Sequence, residues 1–399
     1  MAFGALRVNR MRTILTLLGV IIGVTSVITI ISAIDGLSQS IRQELEVLRP
    51  TTFVVDRFGL IMGHDQFLEA LKRKPIEYEY LKYIEEGCTD CVKLAALCYT
   101  GDAVAKYSDH RVRNIGLIGA SAEIFDVTDL KVEQGRFYYP EEEQTHSRVA
   151  FIGAGIAEEL YAGLDPIGRT IKLNSINYQV IGVAKKKGTG MGDNSDKHIY
   201  VPYQIFVRDF KSRFNDVNFY IGARSLEKLP EAIDQTRVVL RALRHVRFDK
   251  EDDFGIFTAD AIMDIINNVT RYIRFGLIGI SSIALVVGGI IVMNIMMVSV
   301  TERTREIGIR KSIGAKQKNI LLQFLFEALL ISLGGGIIGI GIGVILGKVL
   351  INMINMDMSP SAFAIIAGLV ISSGVGLFFG IYPAMKAARL QPVKALSYE

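Results

Sequence analysis

Four stretches of this chain are too apolar and too free of charge to be stable in water. They run from Thr13 to Ile34, from Phe275 to Thr301, from Ala328 to Gly347 and from Met358 to Met385. The third can be drawn back to Ile320 if Glu327 is allowed inside it. Each reaches the roughly 20 apolar residues that a helix needs to cross a bilayer. This explains how a chain with an ordinary 22% of charged residues is also 50% apolar: the charge is concentrated in the segments between the spans. A disordered chain would be poor in apolar residues, and a net charge of +4 without a basic stripe in the polar part does not suit a nucleic-acid binder. Trp is absent, so Tyr and Phe would have to serve at the interfaces. A cleaved signal peptide is the competing reading of the first run, but the run is longer than a typical signal core and is followed at once by a helical pattern.

Basic residues orient the spans. Arg7, Arg10 and Arg12 precede the first. Arg303, Arg305, Arg310, Lys311, Lys316 and Lys318 separate the second from the third, and Lys386, Arg389 and Lys394 follow the fourth. The loop between the third and fourth offers only Lys348. Four spans with both termini in the cytoplasm satisfy this pattern and place the long polar segment outside. The expected organisation is a cytoplasmic amphipathic N-terminus (1–12), a first span (13–34), a stalk helix (35–50), an extracytoplasmic domain (51–258), a second stalk helix (259–274) and a second span (275–300). A cytoplasmic loop (301–319), a third span (320–347), an external loop (348–361), a fourth span (362–382) and a cytoplasmic C-terminus (383–399) complete it.

The stalks follow from periodicity. Leu37, Ile41, Leu45 and Leu48 share one helix face, and Pro50 ends the run. On the return, Thr258 is a good N-cap with Asp260 in the first turn, and Ile262, Ile265, Ile266, Val269 and Ile273 lead into the second span. Between the stalks the fold class is α+β. Strand 51–56, helix 76–87 and strand 91–100 form one β-α-β unit, and strand 218–223, helix 226–244 and strand 254–259 form another. The two are expected to pair into one α/β sandwich, covering 51–100 and 216–258. Residues 101–215 carry short strands at 111–119, 148–153, 169–174, 178–184 and 198–202, which predict a mostly β insertion.

Small residues recur every four positions within the spans: Gly335, Gly339, Gly343 and Gly347 in the third, Gly19 and Gly23 in the first, and Gly376 and Gly380 in the fourth. That spacing lets helix backbones approach closely in lipid. Packing within one chain and a face for a second copy both fit. Glu327 is a lone carboxylate in the third span. Such a group is a functional candidate, although near the cytoplasmic end a structural contact with a headgroup or basic neighbour is the favoured reading.

Signatures of catalysis are missing from the sequence. His64, His110, His146, His198 and His245 are scattered without metal-ligand spacing, so no metal site is expected. There is no Gly-x-Ser-x-Gly and no His-Glu-x-x-His. The run GTGMGDNSD (188–196) lies between strands and lacks the spacing of a phosphate or calcium loop, so it reads as a hairpin loop. GIGVILGK (341–348) fails as a nucleotide loop in its glycine spacing and its position in a span. Cys88, Cys91 and Cys98 all fall in the outside domain, where a disulfide is permitted. Cys88-x-x-Cys91 has no thioredoxin-like context; one bridge plus a buried thiol, or three free thiols, are the readings left open.

The cytoplasmic loop reads TERTREIGIRKSIGAKQKN (301–319). Glu306 and Arg310 are in the favourable order for an i,i+4 pair, Ile309 and Ile313 are four apart, and Gly308 and Gly314 punctuate the segment. A short charged helix at the membrane surface could dock a partner; an interfacial turn with orienting charges is the bland alternative.

These residues also resemble a family. NRMRTILTLLGVIIGVTSVI (9–28), TERTREIGIRKSIGA (301–315) and GIYPAMKAARLQPVKAL (380–396), with VEQGRFY (132–138), RVAFIG (148–153), DPIGRTIKLN (165–174), YQVIGV (178–183) and IYVP (199–202), are similar to the MacB-like permeases of ABC transporters over essentially the whole chain. The resemblance implies a permease homodimer in the bacterial inner membrane, working with two copies of a cytoplasmic ABC ATPase. A membrane-fusion adaptor and an outer-membrane channel are further partners it suggests. The best-known members carry a fused ATPase before the first span. None precedes Thr13 here, so ATP and Mg are expected on a separate ATPase and no cofactor on this chain. The implied mechanism is mechanotransmission: ATP-driven ATPase closure is relayed along the stalks to the outside domains, expelling drugs, peptides or similar substrates. By matching position, Glu302, Arg303, Arg305, Glu306, Ile307, Gly308 and Arg310 would form the ATPase-coupling helix. An FtsX-like permease that activates a cell-wall hydrolase, or a lipoprotein-releasing permease, is the alternative; the large outside domain and the first-span motif disfavour them.

Overall fold

A computed structural model describes residues 10–45, 48–61, 63–186, 195–210, 216–353 and 362–396. Along the chain come helix α1 (Arg10–Leu45), strand β1 (Thr52–Asp56), helices α2 (His64–Ala70) and α3 (Tyr80–Gly87), and strands β2 (Cys91–Tyr107) and β3 (His110–Ala120). Then follow α4 (Ile124–Val127), β4 (Val132–Gly135), α5 (Pro140–Gln144), β5 (Val149–Ile152), α6 (Ala154–Tyr161), β6 (Thr170–Leu173), β7 (Ile176–Ala184), β8 (His198–Pro202), α7 (Tyr203–Asp209) and β9 (Asn218–Ala223). The rest is α8 (Leu229–Leu243), β10 (Gly255–Thr258), α9 (Ala259–Glu302), α10 (Thr304–Ser312), α11 (Gln317–Met353), α12 (Ala362–Ala388) and α13 (Pro392–Leu396). The chain forms two compact units. One draws on residues up to Gln39 and from Asn267 onward, the other on Ser40–Ile266.

Among the described residues four helices are long and apolar enough to span a membrane, Leu17–Arg42, Ala259–Glu302, Gln317–Leu350 and Ala362–Ala388, and the greater part of each belongs to the first unit. The second stalk is helical from Ala259 without interruption into its span. The first, expected to run as a helix to Pro50, is helical to Leu45, and Leu48 forms an isolated antiparallel bridge with Thr128 instead of extending the helix face. Asp35 of α1 and Arg274 of α9 pair at 3.2 Å.

Glycine sets the packing here. A Cβ on Gly288 of α9 would lie 2.7 Å from the carbonyl carbon of Gly19, and one on Gly23 would lie 2.7 Å from the Leu285 side chain. The stripe on α11 faces α1: a Cβ on Gly335 would meet Val20 at 3.1 Å, on Gly339 the Ile21 carbonyl at 3.0 Å, and on Gly343 Ile28 at 2.9 Å. Gly347 is buried as well. Thr25 and Thr29 use this proximity, donating their hydroxyls to the carbonyls of Gly339 (3.0 Å) and Gly343 (3.3 Å). Gly376 and Gly380 of α12 receive Ser332 and Ala328 of α11. Of the two readings left open by the sequence, the stripe is occupied within one chain. Lipid tails give no hydrophobic drive between helices, so close backbone contact and hydrogen bonds have to supply the attraction.

The second unit is built on one ten-stranded sheet in the order β10-β1-β9-β2-β3-β8-β5-β7-β4, with β6 pairing to β2 and β7. The two β-α-β units interleave: β9 lies between β1 and β2, and β1 between β9 and β10, all antiparallel. Helices α3 and α8 pack together at Gly87, where a Cβ would meet Val239 at 2.5 Å.

One boundary differs from the sequence reading. The division drawn at 100/101 falls inside β2. Gly101 and Asp102 look like turn residues, but the strand absorbs them as register shifts between Thr100 and Ala105 and continues to Tyr107. Residues 101–215 are strand-rich as expected, with the short helices α4, α5, α6 and α7 between the strands. Several of these helices are too short for 3.6-residue periodicity to show in sequence.

Both faces of the sheet are used. Phe53, Val55, Ala96, Ile115, Leu117 and Ile152 point to a core closed by residues of α3, α6, α7 and α8. Alternate residues, Ala95, Ile118, Ala120 and Phe151, point to a smaller core with Ile124, Val127, Phe137 and Tyr138.

Candidate functional site

The loop between the second and third spans forms the candidate site. Helix α9 ends at Glu302, and Arg303 (φ −102°, ψ 13°) turns the chain into α10. The Thr304 hydroxyl donates to the Val300 carbonyl across that turn at 3.0 Å. At the far end Ala315 N–H reaches the Arg310 carbonyl (3.0 Å) and Gly314 N–H the Lys311 carbonyl (3.1 Å), with Gly314 at φ +97°. This is the paired capping pattern in which glycine adopts the left-handed conformation that ends a helix. Gly314 is therefore a stop signal. Gly308 is not: it lies inside α10, where a Cβ would come within 2.7 Å of the Ala395 side chain of α13.

One face of α10 is consumed by the rest of this unit. Ile307 is 3% exposed, and Thr304 and Gly308 are buried. Arg303 donates to the Glu327 carboxylate of α11 at 3.2 Å, so the intramembrane carboxylate has a basic neighbour. Arg310 bridges Glu306 on its own helix and the side-chain oxygen of Gln323 on α11, the latter at 2.8 Å. The Lys311 ammonium donates to the carbonyls of Ala388 (2.5 Å) and Leu390 (2.7 Å) at the end of α12. A lysine there satisfies carbonyls that have no helical partner and complements the helix dipole. The short helix is thus bolted to α11, α12 and α13.

The opposite face is open. Arg305 and Glu306 are exposed, as are Ile309 (47%) and Ile313 (80%). Glu302, at the end of α9, is exposed too. Ile307 and Gly308, assigned to partner contact by resemblance, instead pack inward and fix the helix in place. Lys311, Gln323 and Ala395 complete the arrangement. No local signal marks them, because their partners lie at distances of up to about 80 residues along the chain.

The surface combines mixed charge with two exposed isoleucines, a composition that suits protein contact. Elsewhere, Cys88 and Cys91 form a disulfide with Cα atoms 5.4 Å apart, and Cys98 is a buried free thiol whose pKa burial pushes up to about 12. Such a thiol is unreactive at neutral pH. Among the described residues no group of three or more His, Cys, Asp or Glu is placed to hold a metal ion. Residues 188–194 of the glycine-rich loop lie outside the described residues.

Comparison with known proteins adds the following. Residues 13–239 match the model of the MacB-like periplasmic core domain, and residues 278–392 match that of the FtsX-like permease C-terminal region. The macrolide export ATP-binding/permease protein MacB of Bdellovibrio bacteriovorus is 33% identical over 403 residues, covering all of this chain and 61% of that protein. The protein of the same name from Chlorobium luteolum is 34% identical over 405 residues, covering all of this chain and 59% of its own length. The chain therefore spans about three-fifths of the relatives it matches. The crystal structure of the periplasmic region of MacB from Actinobacillus actinomycetemcomitans superimposes with a TM-score of 0.46 at 16% identity, over 55% of this chain and 93% of that one.

Proposed function

Since the chain belongs to the MacB-like permease family, we propose that it is the permease part of an ABC exporter in which α10 receives the stroke of a cytoplasmic ATPase. The observation that carries this is the two-sidedness of α10. Its inner face is locked to three other helices of the membrane unit, and its outer face presents Arg305, Glu306, Ile309 and Ile313 unburied. A lateral push on a loose loop would dissipate in the loop. A push on a helix fixed through Arg303–Glu327, Lys311 and Gly308 moves the helices to which it is fixed.

In this reading both termini and α10 face the cytoplasm of a bacterial inner membrane, and the sheet unit lies outside. The permease acts as a homodimer with two ATPases that bind ATP and Mg. It drives efflux of drugs, peptides or similar molecules together with a membrane-fusion adaptor and, where present, an outer-membrane channel. The relatives' name, macrolide export ATP-binding/permease protein, supports the export class.

The test replaces Arg305 by Glu and Ile309 and Ile313 by Asp in the full chain, and measures co-purification of the ATPase together with its stimulated hydrolysis. Association should fall at least tenfold while the permease keeps its melting temperature. An ATPase that still co-purifies in full would remove α10 from the interface.

A further inference from the structure

The sheet unit carries a cleft on the face opposite its main core. The register of the strands builds its floor. Tyr99 of β2 lies opposite Ile118 of β3, and Ile118 opposite Tyr200 of β8. The row beside it pairs Leu97 of β2 with Asn218 of β9. All five face one cavity of about 390 Å³, within the range of small-molecule sites. Gly116 makes room for a further ring: a Cβ there would come within 2.3 Å of the His198 imidazole and 3.0 Å of Tyr99. The His198 ring stands edge-on to Tyr99 with centroids 6.2 Å apart.

The polar groups around this floor are partly uncommitted. Among the described residues the side-chain amide of Asn218, the hydroxyl of Tyr220 and the ammonium of Lys185 have no hydrogen-bond or ion-pair partner, yet all three line the cavity. A native fold normally pairs polar groups as they leave water, so the half-buried Asn218 amide and Tyr220 hydroxyl, left unpaired beside an apolar floor, are suited to a guest. Charge at the rim is mainly positive. Lys185 is exposed, and so is Lys131, which lines the same cavity and pairs with Asp129 at 3.0 Å. The one acid in the lining, Asp196, is withdrawn into the wall at 5% exposure.

We propose that this cleft binds an amphipathic molecule with a flat apolar body and an anionic group. The body lies on Leu97, Ile118 and the Tyr99 ring, and the anion meets Lys185, with Asn218 and Tyr220 in reach of its polar edge. Aromatic side chains accept flat partners in stacked or edge-on geometry, and a single lysine at the rim selects the sign of charge. The site belongs to the sheet unit alone, so it stands independently of how α10 works.

The experiment is calorimetric titration of the full chain in lipid nanodiscs, without nucleotide, with empty nanodiscs subtracted. The probes are naphthalene-2-sulfonate and the 2-naphthyltrimethylammonium cation, which share a ring and differ in charge. The sulfonate should bind saturably at one site per chain and at least tenfold more tightly than the cation. Tyr99→Ala, at a half-exposed position, should weaken sulfonate binding at least tenfold with an unchanged melting temperature, and Lys185→Glu should abolish the preference for the anion. Lys186→Glu is the control, since that lysine pairs with Glu158 at 2.8 Å outside the cleft, and it should bind like the parent chain. Absence of saturable binding, equal binding of the two probes, or binding indifferent to both Tyr99→Ala and Lys185→Glu would overturn the proposal.

Discussion

The two units of this chain solve the packing problem in opposite ways. The sheet unit fills its interior with large side chains: Phe53, Phe151, Phe206, Phe219, Tyr161 and Tyr178 are all within 2% of complete burial. The membrane unit brings its helices together by omitting side chains, with Gly19 against Gly288 and Gly335, Gly339 and Gly343 against α1. The difference reflects the solvent of each. In water, burying a ring removes apolar surface from a medium that excludes it. In lipid the same ring gains little by moving from acyl chains to a neighbouring helix, so short-range contact and threonine-to-carbonyl hydrogen bonds decide.

The contrast predicts that truncation should hurt one unit and enlargement the other. The largest effect is expected for Phe219→Ala, which empties a fully buried position of the sheet unit and should cost about 3–5 kcal/mol. Denaturant titration of the sheet unit's circular dichroism measures it, and a loss under about 1 kcal/mol would mean that the core is not packed as described. Gly288→Val comes next. The added carbon lands on the Gly19 backbone, which cannot swing aside as a side chain can, so about 1–3 kcal/mol is expected. The matched Gly276→Val, with open space at its Cβ, should leave thermal stability in nanodiscs unchanged. Equal effects of the two substitutions would erase the contrast between the units.

The third test sharpens the comparison at a weak point of the sheet unit. Glu143 is 7% exposed; one oxygen accepts the Ala122 N–H at 3.0 Å and the other has no partner. Burial, opposed by that hydrogen bond, raises its pKa from 4.5 to about 7. The folded state therefore holds its proton over a range where the unfolded state has released it. Stability is highest below about pH 4.5, falls as pH rises through about 7, and is fully reduced above that. Glu143→Gln keeps an acceptor for Ala122 and removes the charge, so it should stabilise the unit by about 2 kcal/mol at pH 8 and by little at pH 5. Melting curves at the two pH values check this; a gain of the same size at both would show that charge burial is not the cause.

Much of this architecture was legible because it is local. The spans are runs without charge, the helical extensions are periodic, and the stop at Gly314 is a single residue with an unusual backbone requirement. The predicted strands were found near their places because alternation is also local. The short helices α4 to α7 and the continuity of β2 were not legible. The former are too brief to carry a period, and the latter depends on a bulge that only partner strands can support.

At the candidate site the charges and isoleucines of 301–319 were visible in the sequence, but their division into an inner and an outer face was not. Ile307 and Ile309 are the same residue type two positions apart; one is buried in the cluster with Phe324 of α11 and Ala384 and Ala387 of α12, and the other is exposed. The two cysteines of the bridge were visible as a pair, whereas Cys98 became an inert thiol only through its burial in the sheet.

What the sequence determined by itself is everything that depends on solvent preference and backbone propensity along a short stretch: four spans, helices that outlast two of them, and an α/β segment between. Tertiary structure decided which partner each face meets. It placed the glycine stripe of α11 against α1, Lys311 on the last carbonyls of α12, and Tyr99, Asn218 and Lys185 around one cavity. These outcomes rest on contacts between residues far apart in the chain. Such contacts form only when the whole unit closes, and no local pattern of residues encodes them.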